Sequence, residues 1–125
     1  MNVTGMGFGA YDPQDAAPVD STASISFRCT GVGPGDVVEI QIGRGNAPSF
    51  VPRTMTHANA RLAYNLFSDA ARTVVWGDGT GGTATVSRRP SDGSFVSVPV
   101  YGRLPPRQNV VAGDYADLVV VTVLF

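Results

Sequence analysis

A thiol, an imidazole and a few carboxylates are the side chains with reactive potential in this chain, and each is scarce. There is one cysteine, Cys29, and one histidine, His57. A nucleophilic pair would need them within hydrogen-bond reach, with a third group to orient the imidazole. Cys29 instead falls in phase with Ile25 and Phe27, on the side of a strand that should face a core, and reads as a core or disulfide cysteine. One thiolate and one imidazole cannot close a zinc site of nitrogen and sulfur ligands. Asp114 and Asp117 flank Tyr115 and have the makings of a carboxylate pair for glycoside hydrolysis. They stand where a strand begins, however, a place where aspartate usually hydrogen-bonds backbone amides. Gly5-x-Gly7-x-Gly9 and Gly77-x-Gly79-x-Gly81 have the spacing of nucleotide loops but lack the strand-to-helix context that gives such loops their function. Asp78 and Asp92 offer one carboxylate per Gly-flanked loop, fewer ligands than calcium requires. Trp76 and Tyr101 are the best material for a sugar-stacking platform, although aromatics beside turns more often belong to a core. The expectation is a non-enzymatic protein with no cofactor and no metal.

The elements that must position these residues are strands. The chain of 125 residues is long enough for one domain with a real core. Fifteen glycines and nine prolines punctuate short apolar stretches, and no window reads as a long amphipathic helix, so the fold class is all-β. Met6 to Tyr11 reads as a short first strand. Ala23, Ile25, Phe27 and Cys29 alternate with polar residues, and Val38, Ile40 and Ile42 do the same. Arg53 to Thr56 and Leu62 to Phe67 are two further strands around the break at His57-Ala-Asn59. Phe95 to Arg103 carries Pro99, which places it at an edge or at a bulge. Tyr115 to Phe125 is the most apolar run, β-branched and free of Gly and Pro. Strands at short, regular spacing between turn signals point to a sandwich or barrel.

Charge excludes several function classes. The nine cationic side chains are all arginine and are spread along the sequence, and the net charge is −1, so no basic stripe exists for nucleic acid or anionic lipid. No run of about 18 apolar residues is present to span a bilayer. The residues after Met1, Asn-Val-Thr-Gly, do not form the basic and apolar regions of a signal peptide.

Eight ordered landmarks are recognisable. They are Phe8-Gly-Ala-Tyr-Asp-Pro13, Cys29-Thr30, Arg53-Thr-Met55, Leu62-Ala-Tyr-Asn-Leu66, Asp69-Ala-Ala-Arg-Thr73, Trp76-Gly-Asp-Gly79, Val100-Tyr-Gly-Arg-Leu-Pro105 and Gly113-Asp-Tyr-Ala-Asp117. Together they resemble the spore coat protein U domain family, which includes subunits of archaic chaperone-usher pili, and the resemblance runs from Phe8 to Phe125. It implies a single domain over residues 1–125, an immunoglobulin-like β-sandwich lacking its last strand. The gap would be filled by a periplasmic chaperone and later by the N-terminal extension of a neighbouring subunit, in export through an outer-membrane usher to a surface fibre or coat. Two departures stand out. Family members carry a donor segment and a first cysteine upstream of the Phe-Gly-x-Tyr-Asp-Pro landmark, so the resemblance implies N-terminal truncation and a missing disulfide partner for Cys29, or a tip-type domain that donates no strand. Where members alternate Thr with Val in the last strand, this chain has Leu118, Val120 and Leu124.

These features set the site expectations. Val119, Val121, Val123 and Phe125 should form the core-facing wall of a donor-strand groove, and Leu118, Val120 and Leu124 a second face for contact with another domain or subunit. Tyr115 resembles a tyrosine-corner residue that ties a loop to the sandwich. The loop Asn46 to Pro52 offers Phe50 and Val51 between prolines as an adhesive tip, unless Phe50 folds back over the end of the sandwich. The expected role is a structural fibre subunit assembled by donor-strand exchange, and the alternative is a tip adhesin domain.

Overall fold

The computed structural model describes residues 2–124. Phe125, expected at the end of the groove wall, lies outside the described residues. Eight strands occur in the order β1 (Asn2–Val3), β2 (Val19–Arg28), β3 (Val38–Ile42), β4 (Arg53–His57), β5 (Ala60–Phe67), β6 (Val86–Arg88), β7 (Phe95–Leu104) and β8 (Val121–Leu124). They form two sheets, one of order β1-β2-β7-β5-β4 and one of order β6-β3-β8, and every pairing between these strands is antiparallel. Among the described residues there is no helix. The two sheets make an immunoglobulin-like sandwich.

The period-two patterns explain the core. In β3, Val38, Ile40 and Ile42 are buried while Glu39 and Gln41 lie between them on the other face. Ile25 and Phe27 of β2, Leu62, Tyr64 and Leu66 of β5, and Val98, Val100 and Leu104 of β7 meet them from the other sheet. Trp76 lies fully buried among them, and its indole N–H donates to the carbonyl of Ile40 at 3.0 Å. The core thus takes the tryptophan of the candidate sugar platform. Tyr101, half-buried on the outer face of β7, lies instead under the guanidinium of Arg72, 5.6 Å from the ring centre.

Three strand expectations are corrected. Met6 to Tyr11 forms no strand: apart from the bridge of Tyr11 to Gly113, its backbone pairs with nothing, and Gly9 takes a positive φ of 76° that breaks a strand. β2 begins at Val19, four residues before the alternation becomes regular, because β7 offers a continuous ladder from Leu104 to Phe95. Arg103 and Asp20 lie opposite each other in that ladder and are joined by two hydrogen bonds, of 2.7 and 3.0 Å. That ion pair and the nearby Arg72 hold the Asp20 carboxyl below its ordinary range. β7 itself runs between two neighbours, yet β5 pairs with it only at Tyr101 to Arg103, so Pro99 lies in a stretch with a neighbour on one side and its missing N–H costs no bond.

The terminal run is the third correction. Only its last part is a regular strand, because the chain changes sheets. Ala116 exchanges two hydrogen bonds with Thr56 of β4, at 2.9 and 3.1 Å, in the five-stranded sheet. The carbonyl of Val120 then accepts from Gly43 at 2.8 Å, and Val121 to Leu124 pair with Ile42 to Glu39 in the other sheet.

Candidate functional site

A groove opens between the sheets, with a volume of about 510 Å³. One wall is the segment Val3 to Gly9 and the other is the sheet-changing segment from Asp114, with Val119 and Val121. The floor is core: Ile25, Ile42, Met55, Tyr64, Leu66 and Val100. An apolar cavity of roughly 150 Å³ accommodates a benzene, so this groove has room for about three such groups. β8 starts beside it, with Val121 in its lining and Val123 beyond it; the strand is hydrogen-bonded on one margin to β3, and among the described residues no strand pairs with its other margin.

The alternation of the terminal run sorts its side chains. Val119, Val121 and Val123 are half-buried and pack against the core, while Leu118, Val120 and Leu124 are exposed, Leu118 to 87% and Val120 to 71%. The crossing between sheets is fixed by three contacts. Tyr115 donates its hydroxyl to the carbonyl of Val111 at 2.7 Å, the bond of a tyrosine corner. Asp117 accepts from the Tyr64 hydroxyl at 2.6 Å and from the Asn46 amide at 3.3 Å. His57 sits against the Tyr115 ring and approaches the Asp114 carbonyl with Nδ1 at 2.9 Å. Asp114 and Asp117 both line the groove, the first exposed and the second half-buried and engaged by the Tyr64 hydroxyl. Burial, and then the bond to Asp117, push the Tyr64 phenol well above its ordinary value.

A second group of polar residues lies beneath the loop after β3. Arg53, which alternates in phase with Met55, is fully buried and donates to the carbonyls of Gly43, Ile42 and Trp76 at 2.9, 3.0 and 2.6 Å and to Asn65 Oδ1 at 2.8 Å. Burial pulls its guanidinium down to about 10, so it remains charged at neutral pH. Since β4 belongs to one sheet and Ile42 to the other, this side chain is a clasp between the sheets. Its ring partner is Phe50, 5.4 Å from the guanidinium carbon.

That contact corrects the adhesive-loop expectation. Phe50 is buried, because its ring covers the arginine and its carbonyl accepts from Asn65 at 2.8 Å, whereas Val51 alone stays exposed. Cys29 is half-buried and free, in a small pocket with Val38 and Pro90, away from the contacts of His57. Asp78 accepts from Thr80 within its own loop, and Asp92 accepts from the Gly31 amide, in a loop distant in sequence. Sequence reasoning missed the clasp and also Gly102. A side chain there would collide with Met6 Sδ and come within 2.8 Å of Phe8 Cζ.

Residues 1–122 match the family model of the Spore Coat Protein U domain. The chain belongs to the Spore Coat Protein U domain family. It is 37% identical over 135 residues to Protein U of Myxococcus xanthus, an alignment that takes in 96% of this chain and 71% of that protein. In fold it is similar to a chain in the crystal structure of the CsuC-CsuE chaperone-tip adhesion subunit pre-assembly complex from archaic chaperone-usher Csu pili of Acinetobacter baumannii, with a TM-score of 0.62 and 21% identity. The superposition covers 99% of this chain but 39% of that one, so the domain spans well under half the length of its structural neighbour.

Proposed function

We propose that this domain is a structural, non-enzymatic subunit of a secreted surface fibre or coat, assembled by the chaperone-usher route, and that its groove is completed by a donor strand. The observation that carries the reading is the groove itself: core side chains form its floor, and the strand beside it has one unpaired margin among the described residues. Main-chain pairing along such a margin, with alternate side chains entering pockets, is how extended peptides add to a sheet. Burying four or five donor side chains at about 1.5 to 3 kcal/mol each would contribute roughly 10 kcal/mol. A whole domain is stable by only about 5 to 15 kcal/mol, so the donor is expected to decide whether this one is firmly folded.

The family and the fold support this reading, and the partners it requires are a periplasmic chaperone, an outer-membrane usher and neighbouring subunits. The polymer would lie at the cell surface after passage through the periplasm. Val119, Val121 and Val123 are then the wall that meets the donor, and Leu118, Val120 and Leu124 a face for a second contact. A tip adhesin is the alternative role, with Val51 but not Phe50 left to touch a ligand. Size-exclusion chromatography and urea unfolding, with and without a synthetic peptide alternating valine and threonine, test the proposal. A rise in the unfolding midpoint is expected only with the peptide in its alternating order; a stable monomer indifferent to it would overturn the reading.

A further inference from the structure

The wall of the groove formed by residues 3–9 differs from the other wall in how it is held. Thr4 donates to the Ser24 carbonyl at 3.0 Å and Tyr11 exchanges bonds with Gly113, but among the described residues no backbone bond joins Gly5 to Ala10 with any strand. Between these two anchors the segment reads Gly-Met-Gly-Phe-Gly-Ala. Gly5, Gly7 and Gly9 are exposed, and Met6 and Phe8, on the alternate positions, are half-buried against the core. Phe8 meets the Tyr64 ring edge-on at 6.2 Å. Both side chains occupy the space left by the missing Cβ of Gly102, on the interior face of β7. The segment thus reproduces the pattern of an inserted strand, alternate apolar knobs in an interior gap, without the ladder that would fix one.

We infer that Gly5–Gly9 is a displaceable strap: Met6 and Phe8 plug one end of the groove in the unliganded domain, and an incoming donor strand must lift them out. The inference rests on the donor-strand reading and adds a gate to it. A segment held by two side chains and hinged between two backbone anchors opens at little cost compared with a paired strand. While it is seated, the fraction of molecules ready to receive a donor is reduced, and the apparent affinity falls by that fraction. Apolar knobs seated without ladder bonds shield the floor while leaving the edge of β8 free for exchange.

Two measurements test the gate with the same alternating valine-threonine peptide. In the native protein, the peroxide oxidation rate of the Met6 thioether, followed by peptide mass mapping against buried Met55, should rise severalfold on adding the peptide; slower oxidation of Met6 would show that it is a wall and overturn the strap. The double substitution Met6→Ser with Phe8→Ser, and separately Gly102→Ala, should each raise the apparent affinity by about tenfold as the closed population is removed. Unchanged or weaker binding in both would sink the strap while leaving the donor reading intact. Failure of the peptide to bind the native protein and every variant would instead remove the donor reading, and the gate with it.

Discussion

The two sheets are joined in two different ways, and the contrast between the regions shows how a sandwich tolerates an open seam. At the clasp, Arg53 reaches across from β4 and satisfies three carbonyls and Asn65, and Asp117 ties the sheet-changing segment to Tyr64. Among the described residues no buried side-chain nitrogen or oxygen lacks a partner, so the region is closed in hydrogen-bonding terms. At the groove the joining groups are apolar, half-buried and incompletely packed, with about 510 Å³ left open. Directional bonds hold the closed region, and non-directional contacts line the seam that stays open.

Breaking the clasp should have the largest effect. Arg53→Met leaves the buried carbonyls of Ile42 and Trp76 and the part-buried carbonyl of Gly43 unsatisfied, and at about 1 to 3 kcal/mol for each orphaned group the loss should reach roughly 4 kcal/mol or more. Urea unfolding of the free domain measures it; a loss below about 1 kcal/mol, no more than one ordinary hydrogen bond, would mean that the sheets are joined mainly by apolar contact. Asp117→Ala removes a bond in which the acceptor is charged and should cost about 2 kcal/mol by the same assay.

The groove should respond in the opposite sense, little in the free domain and more in the complex. Val121→Thr keeps the shape and sets a hydroxyl where solvent still reaches it, so free stability should change by less than about 1 kcal/mol. With the donor peptide bound, that hydroxyl is desolvated, and affinity should fall about tenfold in a titration. Equal effects on both quantities would erase the distinction between the regions.

Alkaline pH sharpens it further. The folded-state pKa of Tyr64 is raised above the ordinary 10, chiefly by burial, so its contribution to stability is present below pH 10 and is lost as pH rises beyond that, where the unfolded chain ionises first. Phenolate absorbance should show one tyrosine staying protonated up to unfolding, and Tyr64→Phe should lack that late step. The smallest effect belongs to the exposed face away from the groove: Val120→Ser should shift stability by no more than about 0.5 kcal/mol and leave peptide binding unchanged, with any loss confined to sedimentation of assembled fibres.

Much of this contrast is legible in the order of the residues. The alternation in β2, β3 and β5 marks their buried faces, and the phase of the terminal run separates its two sets of side chains. The position of Arg53 in step with Met55 is a signal of the clasp, since a charged residue on a strand's inward phase must find buried partners. Those partners lie in loops distant in sequence, Gly43 and Trp76, and no local pattern names them. Phe50 meets a similar limit: prolines mark a loop but not whether its aromatic ring turns outward or covers a cation.

By itself the sequence determined the all-β class, the inward phase of most strands and, through eight ordered landmarks, the family. Only the tertiary structure decided that Met6 to Tyr11 forms no strand, that the terminal run changes sheets between Ala116 and Val120, and that a groove remains beside the start of β8. The physical reason is that side-chain periodicity is a local property of the backbone, whereas edges, gaps and buried polar partners are set by which distant strands come to lie beside one another.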